Sequence, residues 1–301
     1  MNSVIETQGL NYSYAKVAAV QDLHLSVPEG SIYACLGQNG AGKTTTIKLL
    51  LNLLQPTQGQ ATILGVDSSR LSPSEFAQIG YVSENQQLPE WMTVQQLVDF
   101  CRPMYPSWDP AFCAKMLKDF CLPPDRKLKH LSRGMKMKVA LLTSLAYRPR
   151  LLVLDEPFTG LDPLVRDEVI HGILELTEQE NWSVFISSHD IDEVERFADW
   201  VGFLEGGRLR LAESTADLCG RFKRLDCVVP NGAPLGSPLP QSWLIPEINS
   251  RSFSVIESKY LAGESERQLA GLVPGVTDVT ASDLSLREIY VALARTSGSK
   301  P

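Results

Sequence analysis

The segment that decides the fold is an apolar run, Ile32-Tyr33-Ala34-Cys35-Leu36, followed at once by Gly37-Gln38-Asn39-Gly40-Ala41-Gly42-Lys43-Thr44. The second part fits the spacing G-x-x-x-x-G-K-[ST], in which glycines let backbone N–H groups curl around phosphate oxygens. Helical character follows from Ile47 to Leu54, so a helix N-terminus would face the same anion. A strand, a glycine-rich loop and a helix in this order predict a phosphate-binding loop.

Two side chains at the end of this loop have chemistry suited to a nucleoside triphosphate. Lys43 can reach the β- and γ-phosphates, and the Thr44 hydroxyl can ligate Mg²⁺. A glycine-rich turn without a ligand is the structural alternative, but the strand before the loop and the helix after it favour phosphate binding. The predicted nucleotide contacts of this segment are Gly37, Gln38, Asn39, Gly40, Ala41, Gly42, Lys43, Thr44 and Thr45.

A second apolar run, Leu151-Leu152-Val153-Leu154, leads directly to two carboxylates, Asp155 and Glu156. Open α/β sheets bind ligands at the carboxyl ends of their strands. Asp155 is therefore a candidate Mg²⁺ ligand, and Glu156 is a candidate general base that polarises the attacking water. On their own, the two carboxylates are equally compatible with a structural role, as an acidic strand end or a helix cap, but the phosphate-binding loop earlier in the chain favours catalysis.

The remaining patterns outline the domains. Residues 1–27 indicate short alternating strands, and the short unbroken apolar runs predict a parallel sheet covered by helices. Between about residues 90 and 147 the capping signals of Thr93 and Asp109 predict helices. The Pro- and Gly-rich stretch 230–240 predicts a boundary loop, after which a strand and a final helix capped by Ser285 are expected.

Composition excludes several classes of protein. The 301 residues carry a net charge of −7, from 28 Lys and Arg against 35 Asp and Glu. This balance disfavours a general nucleic-acid binder. The sequence has no stretch of 18 or more apolar residues, so we expect no membrane span. The first residues lack the basic-then-apolar layout of a secretion signal. Six cysteines without metal-type CxxC spacing indicate reduced thiols in a cytosolic protein.

One further pentapeptide is characteristic of a single family among the proteins that have a phosphate-binding loop. Leu131-Ser132-Arg133-Gly134-Met135 resembles the LSGGQ signature of ATP-binding cassette (ABC) ATPases, and Ser132 lies 23 residues before Asp155. The resemblance covers about residues 3–215. It implies an α/β fold, the ABC form of the P-loop NTPases, with a RecA-like core sheet, an antiparallel β subdomain and a helical signature subdomain. Residues 1–215 would form this domain, with the helical insert at about 90–147, and residues 216–301 a small α+β appendage.

The resemblance also implies roles for individual residues. In this family the signature helix faces the γ-phosphate of ATP bound by a second subunit, which implies contacts from Ser132 and Gly134. Tyr14 would stack on adenine, although a strand aromatic packed in the core is the plain alternative. Asp162, in Gly160-Leu161-Asp162, would touch the partner subunit. His189, in Ser187-Ser188-His189-Asp190, would bond the γ-phosphate and position the water.

Glu84 occupies a position at which most of the family has glutamine. The glutamine amide ligates Mg²⁺ through oxygen and senses the transport subunit. The carboxylate of Glu84 also offers oxygen, but with a full charge, and we expect it to join Thr44 and Asp155 as a metal ligand. A shifted register would instead bring Gln86 or Gln87 to this position.

The resemblance implies the ATP-binding and hydrolysing subunit of an ABC transporter of the ABC-2 exporter type. Its ligands would be ATP and Mg²⁺. Its partners would be a second copy or a homologous cassette, in a head-to-tail dimer, and a separate integral membrane permease, with no nucleic acid. The subunit would be cytoplasmic and peripheral on the inner face of the cell membrane through the permease. The alternatives are a soluble ABC ATPase acting on ribosomes or DNA, and a regulatory nucleotide-binding module without turnover.

Overall fold

The computed structural model describes residues 2–180, 182–230, 238–249, 251–273 and 275–296. They form two compact units, the first comprising Met1–Asp190 with Phe197–Ala212 and the second Ile191–Arg196 with Glu213–Pro301. The sequence places a boundary near residue 215 and gives no sign that residues 191–196 belong with the second unit. Part of the expected boundary loop, residues 231–237, lies outside the described residues.

The strands alternate with helices along much of the chain. Among the described residues the strands, in chain order, are β1 Ser3–Tyr14, β2 Val17–Pro28, β3 Ile32–Leu36, β4 Gln58–Ile63, β5 Val66–Asp67, β6 Ile79–Ser83, β7 Leu151–Asp155, β8 Ser183–Ser188, β9 Trp200–Glu205, β10 Arg208–Ser214, β11 Lys223–Val228, β12 Trp243–Ile248, β13 Ser252–Glu257 and β14 Thr277–Asp283. The α-helices are α1 Lys43–Leu50, α2 Pro73–Phe76, α3 Val94–Cys101, α4 Pro110–Asp119, α5 Arg133–Leu145, α6 Pro163–Glu180, α7 Ile191–Val194, α8 Thr215–Arg221, α9 Glu264–Leu272 and α10 Leu286–Thr296. Among the described residues, no helix has the length and apolar character needed to cross a lipid bilayer.

The first unit is built on a sheet with strand order β10-β9-β3-β8-β7-β6, in which β9, β3, β8, β7 and β6 run parallel. Every residue of β3, β7 and β8 is buried. This burial confirms the expectation from the unbroken apolar runs, because strands covered on both faces have no polar side to alternate with. Consecutive βα units deliver all these strand ends to one edge of the sheet.

A second, antiparallel sheet of this unit has the order β2-β1-β4-β5. Its first two strands are 12 residues long, so the expectation of short strands is wrong. Register shifts interrupt their pairing, for example between Thr7 and Leu10, next to Gly9 with φ 56°. A bulge inserts a residue and breaks strict alternation without ending the strand, which explains why the pattern looks short in sequence. Ile5 and Ile63, on paired strands, join the same buried core as Tyr33 and Phe185.

Helices α3, α4 and α5 form the predicted helical segment, and their N-caps are confirmed. Thr93 and Gln96 make a reciprocal capping box at α3. Asp109 accepts hydrogen bonds from the first backbone N–H groups of α4. Ser132 Oγ accepts the N–H of Met135 at 3.2 Å at the start of α5. Each cap satisfies a backbone donor that has no partner within its helix, so the local sequence sets where these helices begin.

The second unit is an antiparallel sheet with the order β12-β13-β11-β14, packed around its own apolar core. Ser285 and Glu288 form the expected cap of α10. Two residues from the short segment 191–196 also hold this helix. Asp192 accepts hydrogen bonds from Arg287, and Glu195 Oε1 accepts the Leu286 N–H at 2.8 Å. These bonds explain why the segment groups with the second unit.

Glu257 on β13 has a buried carboxyl group, with only 1% of the residue's surface exposed. Its Oε2 accepts the Trp243 indole N–H at 2.8 Å, and its Oε1 accepts the Lys259 N–H at 2.9 Å. Glu257→Ala should cost about 2–4 kcal/mol of unfolding free energy, because two donors lose their acceptor. Glu257→Gln keeps one acceptor oxygen and should cost less. Urea unfolding followed by circular dichroism measures both, and equal midpoints for wild type and Glu257→Ala would contradict the expectation.

Candidate functional site

The residues expected to hold phosphate and metal and to act on the water lie together at the carboxyl ends of adjacent parallel strands. The parallel register pairs Asp155 with Ser187 of β8 on one side and with Ser83 of β6 on the other. Parallel pairing therefore brings segments that are far apart in sequence to one edge. These segments are the loop 37–42 after β3, His189 after β8, Glu156 after β7 and Glu84 after β6.

The glycine-rich loop has a backbone that requires glycine at particular points. Gly40 and Gly42 have φ 82° and 108°. A Cβ at Gly37 would lie 2.3 Å from the carbonyl oxygen of Leu204, and one at Gly42 would lie 2.4 Å from that of Ala19. The loop then opens directly into α1 at Lys43, which places a helix N-terminus beside it. This is the strand–loop–helix arrangement that the sequence predicts.

Lys43, Glu156 and His189 converge at the centre of the site. Lys43 is 5% exposed, and its Nζ lies 2.6 Å from the Gly37 carbonyl oxygen and 3.0 Å from Glu156 Oε1. The other carboxylate oxygen of Glu156 lies 2.7 Å from His189 Nδ1. A carboxylate only accepts hydrogen bonds, so Nδ1 carries the proton and the histidine orients Glu156. The arrangement holds a base between a cation and an imidazole.

Glu156 is ionised and held in a strained backbone conformation. Burial raises the pKa of its carboxyl, but the hydrogen bond from His189 and the charge of Lys43 more than offset this, so the pKa lies below its ordinary value. Its φ of 51° is uncommon for a residue with a side chain, and such strain often marks functional positions. Its Oε1 is buried and lies 3.0 Å from Lys43 Nζ, so the ammonium group is the partner of that oxygen.

Thr44 and Asp155 supply oxygen atoms of the kind that Mg²⁺ prefers. The Thr44 hydroxyl donates to Asp155 Oδ1 at 3.0 Å, and the Ser187 hydroxyl donates to the same oxygen at 2.7 Å. Asp155 is nearly fully buried. Among the described residues no group of three His, Cys, Asp or Glu side chains could hold a metal alone. The donor set fits a Mg²⁺ ion whose remaining ligands are phosphate oxygens and water, since Mg²⁺ is commonly held by one or two carboxylates plus substrate phosphates.

The signature segment lies at the start of α5, with Ser132 exposed as its N-cap. Gly134 packs against α6, where an added Cβ would lie 2.4 Å from Val165 Cγ1. Arg133 Nη2 lies 3.0 Å from Glu84 Oε1. Two signature residues, Arg133 and Met135, depart from the LSGGQ pattern, and the first of them forms an ion pair with Glu84, the third departure from the family pattern.

Tyr14 and Asp162 lie at the ends of their elements. Tyr14, at the exposed end of β1, makes an edge-to-face contact with Tyr12 at 4.9 Å. Its strand partner Val17 is two residues before Ala19, whose carbonyl abuts Gly42 of the phosphate-binding loop. Asp162 Oδ1 accepts the Leu164 N–H at 3.0 Å near the start of α6. Asp162 thus has a local partner, and its contact with a second subunit stays a prediction.

Sequence reasoning missed two residues of the site. Ser187 lies within the quoted Ser187-Ser188-His189-Asp190 segment, yet it contacts both acidic residues: its hydroxyl donates to the Asp155 carboxylate and accepts the backbone N–H of Glu156 at 3.0 Å. Ser187 could have been found by pairing β7 with β8 in parallel register, because this places Ser187 beside Asp155. The pairing of Arg133 with Glu84 is the second feature that the sequence does not indicate. No local signal could have found that contact, since it joins positions 49 residues apart.

Comparisons with known proteins identify the family. A family model described as ABC transporter matches residues 20–159, and a model for an AAA domain, putative AbiEii toxin of a type IV toxin–antitoxin system, matches residues 125–195. The bacitracin transport ATP-binding protein BcrA of Bacillus licheniformis is 33% identical over 211 residues, covering 69% of each chain. The chain belongs to the ABC transporter ATP-binding family. The ABC fold and the ATPase class expected from the sequence are thereby confirmed.

Other relatives of this ABC ATPase have related names. The bacitracin transport ATP-binding protein BcrA of Enterococcus faecalis is 27% identical over 300 residues, which is 97% of both chains. The daunorubicin/doxorubicin resistance ATP-binding protein DrrA of Streptomyces peucetius is 35% identical over 71% of this chain and 66% of its own. The match to the first of these extends beyond the cassette, so the second unit is part of the resemblance.

Solved ABC structures share the cassette fold. An ATP-binding subunit of an ABC transporter superimposes with a TM-score of 0.64 at 28% identity, over 72% of this chain and 92% of that one. The cassette MJ0796, solved as a dimer in a post-hydrolysis state with ADP and Pi, gives a TM-score of 0.62 at 21% identity, over 70% and 98%. The second likeness establishes the fold only.

Proposed function

We propose that this ABC ATPase hydrolyses ATP at the edge of the parallel sheet and so powers export through a separate membrane permease. The observation that carries the proposal is the convergence of Lys43, Glu156 and His189 within hydrogen-bond distance, beside the Thr44–Asp155 contact. A phosphate-binding loop, metal-type oxygens and an ionised base are the parts that phosphoryl transfer to water needs.

The residues of the site have separate tasks in hydrolysis. The backbone of residues 37–45 cradles the phosphates, and Lys43 exchanges its loop carbonyls for β- and γ-phosphate oxygens. Glu156 takes a proton from the attacking water, while His189 orients that carboxylate and contacts the γ-phosphate. Thr44, Asp155 and Glu84 would hold Mg²⁺, which neutralises charge on the phosphates when bound. Tyr14 would stack on adenine. Most of the rate gain would come from positioning and charge neutralisation.

A second cassette would complete the site. Ser132 and Gly134 stand at the N-terminus of α5, where backbone N–H groups favour an anion, and Ser132 is exposed. They would contact ATP held by a second copy or a homologous cassette in a head-to-tail dimer, with Asp162 at the same interface. The dimeric state of the structurally similar cassette MJ0796 supports this arrangement.

A groove of about 330 Å³ in the first unit would receive a cytoplasmic segment of the permease. Its walls carry aromatic side chains, including Phe76 and the stacked rings of Tyr105 and Tyr147, 3.9 Å apart. Phe76 and Leu53 are exposed there, and exposed apolar surface of this kind is typical of a contact with another protein. Gln86, two residues from Glu84, also lines the groove. The subunit would thus sit peripherally on the inner face of the cell membrane.

Mixing inactive variants tests both hydrolysis and the shared site. Lys43→Ala and Ser132→Arg should each abolish most ATPase activity of the purified protein. Mixed, they should regain part of it, because a heterodimer combines Lys43 of one chain with Ser132 of the other. The matched control mixes Lys43→Ala with Glu156→Gln and should regain nothing, because Lys43 and Glu156 belong to the same half-site, 3.0 Å apart. Subunit exchange without recovery in the first mixture would contradict the shared site, and an inactive wild type would contradict hydrolysis.

A further inference from the structure

The ion pair between Arg133 and Glu84 connects two elements of the first unit. Glu84 follows β6, and its N–H donates to the Asp155 carbonyl at 2.9 Å, which anchors its backbone beside a proposed metal ligand. Arg133 is the first residue of α5, directly after the exposed cap Ser132. Arg133 Nη2 and Glu84 Oε1 lie 3.0 Å apart, with 52% and 30% of the two side chains exposed. The pair thus links the metal side of the site to the signature helix.

Gly160 shapes the path of the Arg133 side chain. A Cβ at Gly160 would lie 2.6 Å from Arg133 Nη1 and 2.9 Å from Cζ, and Gly160 has φ 69°. Glycine at this point therefore lets the guanidinium lie against the loop before α6 while it reaches Glu84. The pair depends on three separate segments, so it is a feature of the assembled fold.

Bound Mg–ATP would compete for both charges of the pair, through Mg²⁺ for the carboxylate of Glu84 and through phosphate for the guanidinium of Arg133. If Glu84 ligates Mg²⁺ while Arg133 holds it, one carboxylate lies between a divalent ion and a guanidinium, and the two cations repel each other. A guanidinium released at a helix N-terminus suits phosphate, because its planar set of donors matches phosphate oxygens. Binding of metal and nucleotide should therefore act against the pair from both sides.

We propose that Arg133 and Glu84 exchange partners when Mg–ATP binds: the ion pair opens, Glu84 turns to the metal of its own site and Arg133 turns to a phosphate of the nucleotide that the second cassette holds. This inference rests on the proposed function. The pair is then an internal competitor of Mg–ATP, since the wild type must break it before both charges can act on the nucleotide. Either residue alone, freed of the other, escapes that cost.

A double-mutant cycle on nucleotide affinity tests the exchange. The dissociation constant Kd of the complex of Mg²⁺ with the non-hydrolysable analogue AMP-PNP is measured by calorimetry. The four proteins compared are the wild type, Glu84→Gln, Arg133→Gln and the double variant. If the pair opens, Kd of the wild type multiplied by Kd of the double variant should exceed the product for the two single variants. The expected ratio is about two- to fivefold, the coupling range of exposed ion pairs.

Two other values of this ratio of Kd products would contradict the proposed exchange. A ratio near one means that the pair stays intact on binding, and a ratio below one means that Arg133 holds Glu84 in place for the metal. The matched control is the cycle of Lys136, on the same helix as Arg133, and Glu90, in the loop before α3, whose Nζ and Oε1 lie 3.1 Å apart; it should give a ratio of one. A control ratio as large as that of Arg133 and Glu84 would also overturn the proposal. A wild type that does not bind Mg–AMP-PNP would instead overturn the proposed function itself.

Discussion

Glu156→Gln should lower ATP turnover by about 10²–10⁴-fold, the usual effect of removing a general base. The variant should bind Mg–ATP at least as tightly as the wild type. Glu156 Oε1 lies 3.0 Å from Lys43 Nζ, so removing the carboxylate charge leaves Lys43 freer to meet phosphate. Steady-state ATPase assays and calorimetry with Mg–ATP separate the two effects.

The control for this variant is Glu90→Gln, which removes a carboxylate that pairs with Lys136 on α5. It should leave turnover near the wild-type value. Near-normal hydrolysis by Glu156→Gln would take the role of base away from Glu156. A loss of affinity equal to the loss of turnover would indicate that the carboxylate supports binding and does not act on the water.

Gly42→Ala should abolish nucleotide binding and destabilise the first unit by more than about 2 kcal/mol. Gly42 has φ 108°, and the new Cβ would lie 2.4 Å from the carbonyl oxygen of Ala19. Strained backbone conformations cost about 1–3 kcal/mol each, and the overlap with a backbone atom adds to that cost. The loop must move to relieve it, and its N–H groups then lose their alignment toward phosphate.

Gly40→Ala provides the matched comparison in the same loop. Gly40 also has a positive φ, 82°, but no atom lies within 4 Å of its added Cβ. This variant should lose only about 1–2 kcal/mol, the penalty of the left-handed conformation. Urea unfolding and Mg–ATP titration of the two variants measure the difference. Equal effects would show that the contact with Ala19 is unimportant and that conformation alone sets the requirement for glycine.

Much of the candidate site is predictable because its residues follow short apolar runs. The runs at 32–36 and 151–154 are unbroken since both faces of these strands are buried, and the residue that follows each run must emerge at the ligand-binding edge. This reasoning places Lys43, Asp155 and Glu156 correctly at one edge. The length of β1 and β2 is not predictable in the same way, because bulges interrupt the alternation on which a strand is recognised.

The sequence by itself determined the family, the parallel sheet, the helix caps and the segments that carry chemistry, because each of these depends on residues close together in the chain. Only the tertiary structure decided which charges meet. Lys43 lies 3.0 Å from Glu156 across 113 positions, and Arg133 lies 3.0 Å from Glu84 across 49. It also joined residues 191–196 to the second unit through Asp192 and Glu195. Such contacts depend on how strands and helices are arranged in space, and the local sequence pattern does not predict that arrangement.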